Sequence, residues 1–284
     1  GCPLWRLGIP LVWGPISGTE EFPLRGFAST LSRTAWMFEW VRVVCGTFSA
    51  LSPGVRRCAR HAFHIFAAHR EAVSLLAKLR RSQDGISVLS YYSFSADRIE
   101  SMARRDFPVR TGRPLKILGS GALEGRKGVA LALQGLSLAK KQGVKFSYRF
   151  TSGGPELSHR RNLTRELDLD KEVDLGRGFP RDQYLRELWD TDLYLLPSLR
   201  EGGGLSMMEA MLGGCVPIVA DRGGPGTAVT DECGVRVPVQ SPQQRAEDIA
   251  AAVIRFDRDR PLIARMGQAA SRRIAEDYSE RHFI

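Results

Sequence analysis

From residue 115 onward, apolar and polar positions follow a repeating plan. Leu115-Lys-Ile-Leu118 predicts a strand, Gly119-Ser-Gly121 a turn, and Lys127 to Lys141 a helix carrying Val129, Leu131, Leu133, Leu136 and Leu138. Lys145 to Phe150 alternates as a strand and closes on Gly153-Gly154-Pro155; Glu156 to Leu167 follows as a polar helix. The same reading predicts a strand from Val173 through Phe179, a helix over Asp182–Trp189, a strand over Leu193–Pro197 and a helix over Leu205–Leu212. It closes with a strand over Val216–Ala220, a turn at Gly223-Gly-Pro-Gly226, a strand over Val235–Val239 and a helix over Gln244–Phe256. Strand–helix alternation with short connections implies a parallel sheet covered by helices on both faces, an α/β Rossmann-like fold. Each glycine cluster (119–121, 153–154, 202–204, 223–226) follows a predicted strand directly. That places all of them at the carboxyl edge, where such sheets bind ligands.

The most informative segment is Glu201-Gly-Gly-Gly-Leu-Ser-Met-Met-Glu209, which joins the apolar run 192–199 to a helix. A strand, a glycine-rich turn and a helix N-terminus form an anion site, because free backbone N–H groups and the positive dipole end face the ligand. Glycine lets that backbone come close, having no Cβ in the way. Two readings of the acids stand: Glu201 and Glu209 grip two parts of one elongated anionic molecule, or they are a solvated loop acid and an ordinary helical Glu.

Residues before about 112 are less regular. Leu7 to Trp13 predicts a buried strand running into a Gly14-Pro15 turn, and Phe63–Ala68 with Glu71–Leu79 a further β-α unit. Phe22 to Leu51 holds Trp36, Phe38, Trp40 and Phe48 beside Arg33 and Arg42. Packing in the core or between domains is the expectation for these aromatics; the alternative is an interfacial helix touching lipid or a lipid-linked acceptor. Asp106 to Pro114, with two prolines and a glycine, reads as the linker. The expected division is therefore 1–112, a partial N-terminal Rossmann-like domain and linker, and 113–284, a ligand-binding Rossmann-like domain with closing helices. The chain opens without Met and within a strand pattern, so the expectation is a fragment lacking the earlier strands of its first domain.

Length and composition alter this picture little. The 284 residues suit two medium domains. A net charge of +10 admits nucleic acid, an anionic membrane surface or acidic substrates. The basic residues are dispersed as pairs (Arg56-Arg57, Arg80-Arg81, Arg104-Arg105, Lys140-Lys141, Arg272-Arg273) with no nucleic-acid motif, so nucleic acid is set aside. Five scattered cysteines (Cys2, Cys45, Cys58, Cys215, Cys233) without a C-x-x-C pair imply reduced thiols and a cytoplasmic location. His61 and His64 lie on or beside a strand, where their spacing does not suit zinc. No run is long enough to span a bilayer, and no metal site is expected.

Together these residues resemble the retaining nucleotide-sugar glycosyltransferases of GT-B architecture, which has two Rossmann-like domains with parallel sheets, specifically the group-one type that includes glycogen-synthase-like and mannosyltransferase-like enzymes. The resemblance covers nearly all of 115–284 and is strongest from Leu196-Pro-Ser-Leu-Arg-Glu201 to Gly226; Leu7 to Gly18 also resembles the later part of the family's acceptor domain. It implies hexosyl transfer from a nucleotide diphosphate sugar, UDP- or GDP-linked, to a glycan or lipid-linked acceptor hydroxyl, with retention and without a metal or other cofactor; peripheral contact at the inner face of a membrane is a further option, offered by the net charge and the aromatics of 22–51. Glu201 would contact donor-sugar hydroxyls and Glu209 the ribose. The amides of Gly203, Gly204 and Leu205 would hold sugar and phosphate oxygens, with Gly121, Gly202 and Ser206 beside them. Lys127, in Glu124-Gly-Arg-Lys-Gly128, would pair with the diphosphate, Arg126 assisting, and Gly14, Ser17 and Gly18 would lie on the acceptor side.

The sequence departs from the family's pattern at Ala122, where Arg is usual, at Thr227, where an acid is frequent, and at Pro15-Ile-Ser17-Gly18, where a His is frequent. Two other readings stay open: a nucleotide-sugar epimerase or phosphorylase on the same fold, and a sugar-nucleotide-binding fragment without turnover; a nucleic-acid binder has only the net charge behind it.

Overall fold

Two parallel sheets carry the chain in the computed structural model, which describes residues 3–18, 20, 22–104, 106–176 and 178–282. The first has three strands in the order β1 (Val12–Ile16), β2 (His64–Ala67), β3 (Ile86–Val88). The second has six, β4 (Leu115–Gly119), β5 (Phe146–Phe150), β6 (Val173–Leu175), β7 (Leu193–Leu196), β8 (Val216–Ala220) and β9 (Val235–Val237), in the order β6-β5-β4-β7-β8-β9. That order reverses between β4 and β7, the switch point at which the loops leaving adjacent strands diverge and open a crevice. The two strands after the reversal, β7 and β8, are buried along their whole length, as expected for a parallel strand covered on both faces.

Helices of the N-terminal part are α1 (Leu24–Phe27), α2 (Arg33–Leu51), α3 (Pro53–His61), α4 (Arg70–Arg80) and α5 (Ala96–Met102). Local signals mark the starts of α2, α3 and α5: Ser32 accepts from Ala35 N–H, Pro53 opens α3, and Ser95 accepts from Arg98 N–H. Flanking the second sheet are α6 (Val129–Lys141), α7 (Leu157–Glu166), α8 (Arg181–Asp190), α9 (Leu205–Leu212), α10 (Gly223–Ala228), α11 (Pro242–Arg258) and α12 (Arg260–Asp277). One core joins α6 and α11 to a face of that sheet through Leu131, Leu136, Ile249 and Val253. The other joins α9 and α12 to the opposite face through Met207, Met211, Ala270 and Ile274.

Several expectations are corrected. Gly14 and Pro15 lie inside β1 rather than in a turn; Leu7 and Ile9 fall before the strand and are exposed, as is Val12 at the start of this edge strand. The stretch 223–226 is the first part of a helix, α10. The predicted strand to Phe179 ends at Leu175. Trp36, Phe38, Trp40 and Phe48 are not core: Phe38 is 71% and Phe48 69% exposed, and Glu39 is the one buried residue among those described in α2. The aromatics of this region that do pack into the core of the second sheet are Phe22 and Phe27. Cys2 and Arg105 lie outside the described residues; Cys45, Cys215 and Cys233 are free thiols. No described helix is long and apolar enough to cross a membrane.

Candidate functional site

Beyond β7 the chain stays buried through Leu199, then surfaces at Arg200 and Glu201 and turns through Gly202-Gly-Gly204 into α9. Gly204 caps α9 at φ 76°, a conformation that disfavours a Cβ, and no side chain caps the helix. Among the described residues, none of the amides from Gly202 to Met207 donates to a backbone carbonyl. A row of N–H groups thus stands open at the positive end of a helix dipole.

Two charged clusters flank this row. Lys127, buried after the loop that follows β4, places Nζ 2.5 Å from Glu201 Oε2, and Arg126 Nη1 lies 3.8 Å from the same oxygen. Gly121 packs on the Lys127 stem, where a Cβ would sit 3.1 Å from Nζ. Gly121, Arg126, Lys127 and Glu201 are therefore brought together from two βα loops. Glu209, buried within α9, is ion-paired to Arg98 of α5, whose guanidinium lies 5.0 Å from the Phe94 ring centroid. Between the clusters, Tyr194 Oη donates to Ser206 Oγ at 2.9 Å and shares a 2.6 Å hydrogen bond with Ser120. Burial drives the Tyr194 phenol well above its ordinary range, keeping this relay neutral.

The carboxyl edge of the first sheet faces the same turn. Ser17 Oγ–H and Gly18 N–H donate to Glu20 at 2.8 and 3.0 Å, and His69 Nε2 lies 2.9 Å from its Oε1. Burial alone would raise the Glu20 pKa; the hydrogen bonds from His69 and Ser17 outweigh it and hold it at about 2. A Cβ on Gly202 would stand 3.0 Å from Ser17 Oγ and 3.4 Å from Glu20 Oε1, and would collide with Tyr91 Oη. Tyr92 crowds Gly203 in the same way, and burial raises the Tyr91 phenol to about 12. Gly14, in contrast, meets the Phe66 carbonyl, so its lack of a side chain serves strand packing. A cavity of about 240 Å³ opens between the sheets, lined in part by Ser90, Tyr91, Gly203, Met208 and Thr227. Thr227 accepts from Arg70 N–H at 3.2 Å and donates to the Gly223 carbonyl at 2.9 Å, tying α4 to α10.

Glu20, His69, Tyr91, Tyr92 and Arg98 escaped the sequence reading. Only Glu20 had a local signal, an acid two residues after Ser17-Gly18; the others arrive from elements distant in the chain. No group of three or more His, Cys, Asp or Glu side chains among the described residues is arranged to hold a metal ion.

A parallel sheet with this strand order and a charged, amide-lined turn at its switch point defines a Rossmann-like ligand-binding unit. Residues 103–273 match the family model of the glycosyl transferases group 1, and the chain belongs to that family. It is 28% identical over 178 residues to the putative colanic acid biosynthesis glycosyltransferase WcaL of Salmonella typhimurium, covering 60% of this chain and 43% of that protein. It is 24% identical over 174 residues to the amylovoran biosynthesis glycosyltransferase AmsK of Erwinia amylovora, covering 59% of this chain and 42% of the relative. The matches thus span less than half the length of these curated relatives. Among solved structures, the lipopolysaccharide outer core galactosyltransferase WaaB in its apo form superposes with TM-score 0.65 at 19% identity, over 78% of this chain and 60% of that one. A mutant of S. aureus TarM in complex with fondaparinux, alpha-GlcNAc-glycerol and UDP superposes with TM-score 0.63 at 17% identity, over 80% of this chain and 43% of that one. These likenesses establish the GT-B type of α/β fold with parallel sheets.

Proposed function

We propose that this chain carries the donor site of a retaining glycosyltransferase that moves a hexosyl group from a nucleotide diphosphate sugar to an acceptor hydroxyl. The observation that carries the reading is the row of open amides from Gly202 to Met207 with Lys127 and Arg126 beside it. Amides and an ammonium group together offset the charge that grows on a leaving diphosphate. In this reading Lys127 and Arg126 take the diphosphate; Glu201 turns from Lys127 to the sugar hydroxyls; Glu209 takes the ribose. Gly203, Gly204 and Leu205 donate to sugar and phosphate oxygens, with Gly121, Gly202 and Ser206 lining the approach. Ser17 and Gly18 lie on the acceptor side.

The anomeric carbon–oxygen bond to the diphosphate breaks, and the acceptor oxygen bonds to that carbon from the same face. The acceptor proton passes to a diphosphate oxygen, so configuration is retained. The lipopolysaccharide and polysaccharide names of the relatives support a glycan or lipid-linked acceptor, and TarM, solved with UDP, supports a uridine donor over guanosine. We divide the chain at about residue 112, before β4, and place it in the cytoplasm, touching the inner membrane face through the exposed aromatics of α2. A second reading, donor binding without turnover, rests on Ala122 standing where the resembled family usually has Arg.

The test is calorimetric titration with UDP, GDP and their hexose conjugates. UDP should bind wild type, bind Lys127→Ala and Glu209→Ala more weakly, and bind Glu201→Ala nearly as wild type. Equal loss in all three variants rejects the assignment, and binding with no transfer to any acceptor favours the second reading.

A further inference from the structure

A cavity of about 590 Å³ lies against the first sheet rather than over the donor turn. Its walls are α2, α4 and the end of β1, with Val43, Ala50, Leu75 and Leu79 among the lining residues. Ser17, Glu20 and Arg200 line it too, and these are the groups that adjoin Gly202 and Glu201. The cavity therefore continues the candidate site. Arg70, at the start of α4, is tied to α10 of the other sheet, and α4 runs back from there past Leu79. Along α2 the lining runs from Glu39 to Ala50, and a helix at 1.5 Å per residue makes that wall about 16 Å long. A sugar would leave its hydroxyls unpaired against such walls, whereas a hydrocarbon chain loses only water contact.

Charge settles which hydrocarbon. The carboxylates on this cavity are already engaged: Arg200 grips Glu39 with two hydrogen bonds of 3.0 and 2.8 Å, and Glu20 is held by Ser17, Gly18 and His69. Arg42 also lines the cavity and has no ion-pair partner among the described residues. Arg33 is exposed on α2, Arg57 and Arg60 are exposed on the adjoining α3, and Arg56 on α3 is half-buried. Helix α2 also leaves Trp36, Phe38 and Trp40 exposed to solvent, and tryptophans in particular settle at a lipid–water interface.

We propose that this groove takes the hydrocarbon chain of a lipid-linked acceptor with an anionic, phosphate-bearing head, delivering that head toward Glu201. The substrate class rests on the donor reading of the Glu201 turn; the binding itself does not. Dodecyl phosphate below its micelle concentration serves as the probe, titrated calorimetrically into the full chain, with inorganic phosphate as control. Val43→Trp and Ala50→Phe each fill the groove, and Arg42→Glu reverses its charge; none of the three touches the donor turn. Dodecyl phosphate should bind wild type with a negative heat-capacity change, at least tenfold more weakly to either filled variant and at least fivefold more weakly to Arg42→Glu. Inorganic phosphate should not compete, and UDP affinity should be equal in all four proteins.

Equal dodecyl phosphate affinity in wild type and both filled variants overturns the proposal, as does no binding. Concentration-dependent dimerisation of wild type that Val43→Trp abolishes also overturns it, assigning the groove to a second copy. If UDP binds none of the proteins while the dodecyl phosphate pattern holds, the donor reading fails and the groove stands.

Discussion

Removing the Lys127 ammonium tests the central charge arrangement. Its Nζ lies 2.5 Å from Glu201 Oε2, with the two side chains 10% and 15% exposed. Two unit charges about 3 Å apart at an effective dielectric near 20 attract by about 5 kcal/mol, most of which desolvation cancels. The informative quantity is therefore the cost of stranding one partner, about 3–5 kcal/mol in a fully buried pair. Here Arg126 remains 3.8 Å from the same oxygen and some water reaches the pair. We expect Lys127→Ala to lose about 2 kcal/mol of stability in urea unfolding, after that discount. Adding Glu201→Gln removes the stranded charge, so the double variant should recover about 1 kcal/mol, a coupling that a double-mutant cycle reads directly. The same substitution takes one cation from the diphosphate and leaves an unscreened carboxylate facing it. UDP affinity should fall about 30-fold, equivalent to about 2 kcal/mol, and Glu201→Gln should restore part of it. A coupling energy under about 0.5 kcal/mol, together with unchanged UDP affinity, would refute the reasoning.

Gly128→Ala should destabilise by about 3 kcal/mol or more, because Gly128 has φ 67° and its Cβ would collide with the Pro197 carbonyl; a fall in the thermal midpoint no larger than that of a surface Ala substitution contradicts this. Arg98→Ala leaves buried Glu209 without its guanidinium and should cost about 2 kcal/mol, with Arg98→Lys recovering part of it in urea unfolding. Glu20 has a folded pKa of about 2 against an ordinary 4.5, so the unfolded chain binds its proton first. Its stabilising contribution, about 3 kcal/mol, is complete above pH 4.5 and is lost as pH falls toward 2. The stability gap between wild type and Glu20→Gln should therefore shrink between about pH 5 and pH 3, and a pH-independent gap would show that Glu20 acts without its charge.

Most of the second sheet was legible because its strands are continuous apolar runs bounded by glycine, and burial on both faces leaves little room for polar residues. The helix Arg260–Asp277 was not read: its buried positions Met266, Ala270 and Ile274 are sparse and partly small, set among arginines and acids. The short β3 and the helices Pro53–His61 and Ala96–Met102 were missed for a related reason, being too brief for periodicity to accumulate. The α2 aromatics misled because hydrophobicity states a preference for burial without saying whether a partner surface exists.

Local order was thus the chain's own to dictate: the strand–turn–helix at 193–212, the glycines that open its amides, and the two acids eight residues apart. Tertiary folding alone decided which cations meet those acids, bringing Lys127 to Glu201 and Arg98 to Glu209. It also placed the Glu20–His69 pair and Tyr91 against Gly202, and set an apolar groove beside them. The reason is physical: backbone preference and periodicity act within a few residues, whereas ion pairs and cavities depend on distances between segments that only packing determines.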